Sequence, residues 1–515
     1  MNSRVIKINL FCLSMIAVIL GNVTAQVEPG IELYQKYCLS CHGIDGKGDG
    51  ELSYLLYPKP RDLTRGLFKI RSTEPSNPPA DSDLISSIKN GMPGTAMPSF
   101  DFLDFNQLSD IVSYIKYLGN IENSNAVQIE IPHLLSETNE LLELGKTVYT
   151  QIGCNKCHGE KGKGDGPSAY TLIDSWGYPI IPRDFTSGIY LGGGTPKDLY
   201  LRFVGGMDGT PMPSYGNLSE LLGKPKEDEN ELAWSLVYYV KSLEEDDTKD
   251  IGKIPPNGTI TAQLVNERTR PDKLLDFSSR LWNKATSYNI PISRLWQSDN
   301  INYQVVEVQV LYNSKYIAIK LQWDDLTQDQ NLHRVQNFQD AVAIQFSIDG
   351  TMGFHGMGSK EHPTNIWFWK SEWQLQKNQN VESDIELTYS NRVSDSNVEH
   401  YPDEINETAF LSGVNAENIN SKKNRDTSVE NIIAAGPHTV TSTPEELQRV
   451  NGEGRWNSKK WEVVFLREIT MKSDQEVQFN ENDIIPISFA VWDGNENDRN
   501  GQKMVSTWYK LKLKD

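Results

Sequence analysis

The sequence predicts a multidomain chain: two all-α domains followed by a mostly antiparallel β-sandwich. Three observations carry that prediction. One stretch occurs twice, as CLSCHGIDGKGDG at Cys38–Gly50 and CNKCHGEKGKGDG at Cys154–Gly166. Each copy is flanked by segments of helical hydrophobic period, and beyond Gly258 the period changes to two. A chain of 515 residues is also long enough for about three domains.

Met1–Ala25 reads as a secretory signal. Arg4 and Lys7 make a basic start, Ile8–Gly21 is apolar and uncharged, and small residues lead to cleavage before Gln26. The apolar run is short for a membrane span, and no later stretch reaches that length. The mature chain is therefore expected to be periplasmic or otherwise exported, soluble or peripheral, with no transmembrane segment after signal cleavage. Of five cysteines, Cys12 lies in the signal without the small preceding residue of a lipoprotein site. The formal charge of −19 argues against nucleic acid and favours basic or neutral protein partners, such as a basic electron carrier. Simple solubility accounts for the same charge.

Residues 27–120 form the first helical domain. Ile31–Tyr37 is a short amphipathic helix leading into Cys38-Leu39-Ser40-Cys41-His42, and Leu108–Leu118 is the closing helix. Ile121–Pro132 is a polar linker. Residues 141–245 form the second domain, with Cys154-Asn155-Lys156-Cys157-His158 near its start and Glu231–Leu243 closing it. CxxCH is the spacing of covalent haem c attachment. Two thiols one helical turn apart can form thioethers to one haem, and the adjacent histidine lies under the iron. One zinc held by both pairs would have to span 112 residues between them, and neither zinc nor disulfides between the four cysteines explain the histidine after each pair or a matched methionine downstream.

A methionine loop repeats as well: GMPGTAMPSF at Gly91–Phe100 and GMDGTPMPSY at Gly206–Tyr215. Met97 lies 55 residues after His42, and Met212 lies 54 after His158. Thioether ligation raises a haem potential. Met92 and Met207 also repeat, but Met97 and Met212 each sit in a Met-Pro turn that proline stiffens. Pro60-Arg61-Asp62-Leu63-Thr64 recurs as Pro182-Arg183-Asp184-Phe185-Thr186, an arginine suited to a haem propionate or to a surface ion pair. The glycine-rich Gly43–Gly50 lacks the strand and Lys-Ser/Thr signature of a phosphate cradle. On these motifs both domains resemble the monohaem cytochrome c family, in which helices wrap one haem.

Glu244–Gly258 is a second linker. The third domain spans 263–515. Its predicted strands are Tyr303–Tyr312, Tyr316–Trp323, Ala341–Ile348, Trp461–Leu466, Pro486–Val491 and Val505–Leu513, with Asn313-Ser314-Lys315 turning a hairpin. Lys377–Asn431 reads as long surface loops.

Four stretches of this domain, QDAVAIQFSI (339–348), FHGMGSKEHPTNIWFWKSEW (354–373), GEGRWNSKKWEVVFLRE (452–468) and FAVWDGNENDRNGQKMVSTWYKL (489–511), are similar in order to the γ subunit of ethylbenzene dehydrogenase. Related γ subunits serve dimethyl sulfide dehydrogenase, chlorate reductase, selenate reductase and nitrite oxidoreductase, type II members of the dimethyl sulfoxide reductase family. The resemblance implies one non-covalent haem b held by a methionine and a lysine, here Met357 and Lys503. Met352 and His355 are the rival ligands. By period two, Lys503 is expected on the apolar side of Val505, Thr507, Tyr509, Leu511 and Leu513.

With two covalent c haems, on Cys38, Cys41 and His42 and on Cys154, Cys157 and His158, the resemblance implies an electron-transfer subunit rather than an enzyme. Its partners would be a molybdenum catalytic subunit and an iron–sulfur subunit on one side. A soluble cytochrome or terminal oxidase would stand on the other. Nitrite oxidoreductase is the member chosen, since fused c haems suit delivery of electrons to a respiratory chain. Two other readings compete. A dihaem enzyme such as a peroxidase needs an open iron position, which the paired methionines deny. A cytochrome-linked binding module would use Trp367, Trp369 and Trp373 as a ligand platform, although such clusters more often form core or cofactor wall.

Overall fold

The computed structural model describes residues 27–92, 95–121, 126–188, 190–244, 252–253, 258–294, 304–330, 336–352, 357–379, 425–469, 473–480 and 483–513. The predicted signal and His355 lie outside them. The chain divides into two compact units: Met1–Pro93 with Ser99–Asp246, and Asp247–Asp515 with the loop Gly94–Pro98.

The first unit is helical and built twice. Its first half holds α1 (27–37), α2 (Leu39–His42), α3 (Asp81–Asn90) and α4 (Phe105–Leu118). The second half holds α5 (Asn139–Gln151), α6 (Asn155–His158), α7 (Pro196–Gly205), α8 (Leu218–Leu221) and α9 (Glu229–Ser242). Local chemistry sets the starts. Asp104 accepts from the Gln107 backbone N–H at 2.9 Å while the Gln107 side chain accepts from the Asp104 N–H at 3.0 Å, a capping box. Thr195 and Asp198 repeat it on α7, with Pro196 in the first turn. The closing helices α4 and α9 begin at Phe105 and Glu229, slightly before the predicted Leu108 and Glu231.

Opening and closing helices cross at a glycine in each half. A Cβ on Gly30 would lie 2.2 Å from the Asp110 carbonyl oxygen, and one on Gly145 would lie 2.0 Å from that of Ser235. Only glycine permits that approach.

The halves of this unit share a polar interface. Arg71 is 1% exposed; its Nε lies 2.9 Å from Asp208 Oδ2, and its Nη2 donates to Gly205 O at 2.6 Å. The Trp176 indole N–H donates to Asp62 at 3.3 Å, and the Arg61 guanidinium stacks 4.1 Å from a Trp176 ring.

The second unit contains fourteen strands among its described residues. They are β1 (Gly252–Lys253), β2 (Thr259–Leu264), β3 (Tyr288–Arg294), β4 (Gln304–Tyr312), β5 (Tyr316–Asp324), β6 (Ala341–Ser347) and β7 (Thr364–Lys370). After them come β8 (Val429–Ala434), β9 (Thr441–Ser442), β10 (Asn451–Asn457), β11 (Lys460–Glu468), β12 (Ile484–Trp492), β13 (Met504–Val505) and β14 (Tyr509–Leu513). Two short helices, α10 (Pro271–Leu275) and α11 (Ser371–Gln379), interrupt them.

The main path runs β10-β11-β5-β4-β2-β14-β12-β6-β7-β8-β9. Pairing is antiparallel except where β2 joins β4 and β14, and where β1 joins β3. The β2 strand thus links two antiparallel layers into one hydrogen-bonded sheet. Between the layers lies one apolar core that includes Val310, Ile319, Ile344, Trp367, Trp461 and Phe489. Fully burying such side chains contributes roughly 1.5–3 kcal/mol each.

Three expectations are corrected here. Trp367 and Trp369 are 0% exposed inside this core, and Trp373 is 3% exposed, so they are no ligand platform. In the expected loop Lys377–Asn431, Lys377 continues α11 and Val429–Asn431 begin the buried β8; residues 380–424 lie outside those described. The expected strand Val505–Leu513 is broken at Ser506–Trp508 into β13 and β14.

Candidate haem sites

Each CxxCH motif occupies a single short helical turn. His42 and Gly43 N–H groups donate to Cys38 and Leu39 carbonyls at 2.9 and 2.8 Å, and His158 and Gly159 do the same toward Cys154 and Asn155 at 2.8 and 2.9 Å. The two cysteines of each motif therefore lie on one turn, followed at once by the histidine. All four thiols are free and half-buried. Burial pushes the Cys38 and Cys154 thiols up to about 12, so they are held as thiols rather than reactive thiolates.

The glycine loops wrap these turns. Gly48 N–H donates to the His42 carbonyl at 2.8 Å, and Gly164 N–H to that of His158 at 2.9 Å. A Cβ on Gly48 would lie 2.4 Å from Pro60 O, and one on Gly164 would lie 2.5 Å from Pro182 O. The repeated glycines thus bring the Pro-Arg-Asp segment onto the histidine. His42 Nδ1 donates to the Arg61 carbonyl at 2.9 Å, and His158 Nδ1 donates to the Arg183 carbonyl at 3.1 Å. That bond leaves Nε2 as the basic nitrogen, the tautomer an iron ligand needs. Burial lowers both imidazoles, His158 to about 4, so both rings are neutral near pH 7. Asp62 and Asp184 pin the arginine turns by accepting the Thr64 and Thr186 N–H groups at 3.0 and 2.8 Å.

Arg61 Nη1 is buried and makes no hydrogen bond. A propionate carboxylate would suit it. Burial lowers Arg61 to about 10, so it stays charged at neutral pH. On these observations the residues of both halves fit haem.

Met212 packs into the apolar cluster that also contains Cys154, Phe185 and Tyr215. Its N–H donates to Thr210 Oγ1 at 3.2 Å, and its carbonyl accepts from Met207 N–H at 3.2 Å. In the first copy, Met97 N–H donates to Thr95 Oγ1, also at 3.2 Å. The loop carrying Met97 is grouped with the second unit, whereas the Met212 loop belongs to the first.

In the second unit, Met357 and Lys503 each lie against the same apolar cluster. The outer face of β6, β7, β8 and β12 is lined by small residues, Ala341, Ala343, Ala434 and Ala490, beside Trp492 and Phe368. Trp492 and Phe368 stack with centroids 4.8 Å apart. Met357 packs against this cluster, and Lys503 Nζ lies 4.9 Å from the Trp492 ring centroid. Met357 has φ 90°, a conformation that costs a non-glycine residue energy and is common at ligand sites. Lys503 is 8% exposed, and no carboxylate pairs with it among the described residues. Burial lowers it to about 8. A buried amine without a counter-ion, a methionine and a shelf of alanines fit a flat macrocycle with an amine ligand. Met352 is not part of this cluster.

The face expected for Lys503 is corrected by the break in the last strand. Met504, rather than Val505, joins Tyr509, Leu511 and Leu513 in the inter-layer core. Lys503 therefore projects to the opposite, Trp492 face. Sequence reasoning also missed the alanine shelf, whose signal is the alternation of Ala341 and Ala343 with Val342 and Ile344.

The cytochrome c family profile matches residues 27–119 and 142–244, and the ethylbenzene dehydrogenase profile matches residues 279–504. A candidate respiratory nitrate reductase haem subunit from Haloferax mediterranei is 24% identical over 237 residues, 45% of this chain and 66% of that protein. The dimethylsulfide dehydrogenase γ subunit of Rhodovulum sulfidophilum is 26% identical over 215 residues, 40% of this chain and 60% of that protein. The chain thus spans somewhat under two thirds of the length of these relatives. A chain of the reducing HAO-like protein complex of Kuenenia stuttgartiensis is 39% identical, with a TM-score of 0.39, covering 42% of this chain and 96% of that one. Two cytochrome c domains are therefore joined in one chain to a domain of the ethylbenzene dehydrogenase γ haem family, and the chain belongs to both families over those residues.

Proposed function

We propose that this chain is an exported electron-transfer subunit carrying two covalent c haems and one non-covalent haem b. It serves a molybdenum and iron–sulfur oxidoreductase of the type II dimethyl sulfoxide reductase family. Cys38, Cys41 and Cys154, Cys157 hold the c haems, with His42/Met97 and His158/Met212 as axial ligands. Met357 and Lys503 hold the b haem on the Trp492 face. When bound, each haem supplies one-electron exchange.

The chain's own residues supply the rest. The Arg61 and Arg183 carbonyls hold each histidine tautomer. Thioether ligands set high potentials for the c sites. Trp492 and Phe368 wall the b site. Haem b would face the catalytic partner, and the c haems a soluble cytochrome or terminal oxidase. Nitrite is the favoured substrate of the partner enzyme.

The placement of Met357 and Lys503 against one apolar cluster, in a chain that also carries two CxxCH turns, supports this reading most. Two measurements test it. Acid-acetone extraction should remove one haem and leave two. Affinity purification from the native cell should bring down a molybdenum subunit whose electron donor reduces all three haems. Recovery of two haems in total, or a partner without molybdenum, overturns the reading.

A further inference from the structure

Three aspartates meet at one end of the β domain, and none of the three has a part in the sites described above. Asp325 follows β5, Asp340 precedes β6 and Asp493 follows β12, so the meeting point joins both layers. One carboxylate oxygen of each lies within 4.8 Å of the others. Asp325 is 3% exposed and Asp340 is 0%. Like charges packed so closely repel unless a cation or protons intervene.

The hydrogen bonding shows what is satisfied and what is not. Asp340 is fully engaged: Gly494 N–H donates to Oδ1 at 2.9 Å, while Asp329 N–H and the Trp461 indole N–H donate to Oδ2 at 2.7 and 2.9 Å. Three donors favour its ionised form. Asp325 is only half engaged. Its Oδ1 accepts from Thr327 N–H at 3.0 Å, whereas Oδ2 is buried with no hydrogen-bond partner. A buried carboxylate oxygen without a partner costs about 1–3 kcal/mol or more. No lysine, arginine or histidine pairs with Asp325, Asp340 or Asp493 among the described residues. Arg294, whose charge reaches Asp493, is committed to Asp498 at 2.5 Å and Glu496 at 3.6 Å.

We infer that Asp325, Asp340 and Asp493 form a binding site for a hard divalent cation of the calcium class. Three carboxylates and no nitrogen or sulfur donor select oxygen-loving ions. Three carboxylates leave the rest of the shell to water or backbone oxygen, and calcium accepts such an irregular set more readily than magnesium, which demands a strict octahedron. The cation clamps the ends of β5, β6 and β12. Asp493 adjoins Trp492 and Asp340 adjoins Ala341, and these two neighbours pair across the strands. The ion therefore stiffens the rim of the Trp492 face without touching it. Without a cation, burial raises both Asp325 and Asp340, the charge of Asp340 adding to the rise of Asp325 and that of Asp329 to the rise of Asp340, so protons would have to share the cluster instead.

The test uses the full-length haem-loaded protein. After chelation with EDTA and exchange into metal-free buffer, calcium or magnesium is titrated in. Metal content, tryptophan fluorescence and the melting temperature are followed. One calcium per chain should return, and the melting temperature should rise by roughly 5 °C at saturating ion. Magnesium should do less. Asp325→Asn should abolish both responses while leaving both CxxCH haems in place. If wild type takes up no divalent ion, and Asp325→Asn melts above it in metal-free buffer, the cluster is a proton-sharing set and the inference is wrong. Should Asp325→Asn not fold, the wild-type titration alone decides.

Discussion

Replacing Lys503 with methionine is the sharpest test of the haem b site, because stability and cofactor binding should move in opposite directions. Burial lowers this amine from 10.5 to about 8, and no carboxylate compensates. Every tenfold loss of proton affinity is worth about 1.4 kcal/mol, so the buried charge costs the haem b-depleted fold about 3 kcal/mol. The sign follows from proton counting. The depressed folded value means that the unfolded chain binds more protons between about pH 8 and 10.5. Depleted wild type should therefore gain stability as pH rises through that window and show its full penalty below pH 8. Lys503→Met removes the charge and keeps the volume, so depleted variant should be up to about 3 kcal/mol more stable at pH 7. It should lose the pH-dependent gain. The loaded variant should lose or alter its extractable b haem, since methionine cannot supply an amine. Urea unfolding at pH 7 and pH 10, with absorption spectra of the loaded protein, reads both effects. An unchanged b-haem spectrum together with no gain in depleted stability would refute the reasoning at both of its steps.

Mass spectrometry of the denatured mature chain should show two haem additions and loss of Met1–Ala25; a single addition removes one of the two CxxCH assignments. Met97→Ala and Met212→Ala should each abolish one His/Met signature and lower that haem's potential in a redox titration. The Met92→Ala and Met207→Ala controls should leave both signatures in place. Asp208→Asn leaves the 1%-exposed Arg71 without its counter-ion. Asp208 is itself partly exposed, so the cost should be about 2–4 kcal/mol, read by denaturant unfolding of the helical unit. A loss below 0.5 kcal/mol, about the size of a surface pair, would show that water reaches this arginine.

The helical unit was legible because its chemistry repeats. Two CxxCH turns, two glycine loops and two Pro-Arg-Asp segments each predict a local contact, and the structure builds both copies alike, from the Tyr34 and Tyr149 hydroxyls on the Gly43 and Gly159 carbonyls to the histidine–arginine bonds. In the β domain, strands with clean alternation such as Gln304–Tyr312 and Tyr316–Asp324 were readable. Thr364–Lys370 was not, because both of its faces are buried and alternation vanishes. Lys503 shows how a period argument fails. Three irregular residues between β13 and β14 reverse the phase, so a lysine assigned to the inner face belongs to the outer one. The correction strengthens the site, because the outer face is where Met357 and Trp492 lie.

What repetition could not reveal is where the copies differ. Trp176 belongs to the second copy only, yet its indole bonds Asp62 and stacks on Arg61 of the first. Arg61 is the residue whose carbonyl orients His42. Trp176 also approaches the second methionine loop: a Cβ on Gly209 would lie 2.4 Å from its ring, and Ser175 N–H donates to Gly209 O at 3.1 Å. One side chain therefore touches the residue that holds His42 and the loop that carries Met212. Nothing in the sequence ties these partners to Trp176, because an interface within a duplicated unit needs only one surface to change. The asymmetry gives the two c sites unequal surroundings, with the first histidine's support packed against an indole. Unequal potentials in a two-step redox titration are the expected consequence, and Trp176→Leu should bring the two steps closer together while both haems remain covalently attached.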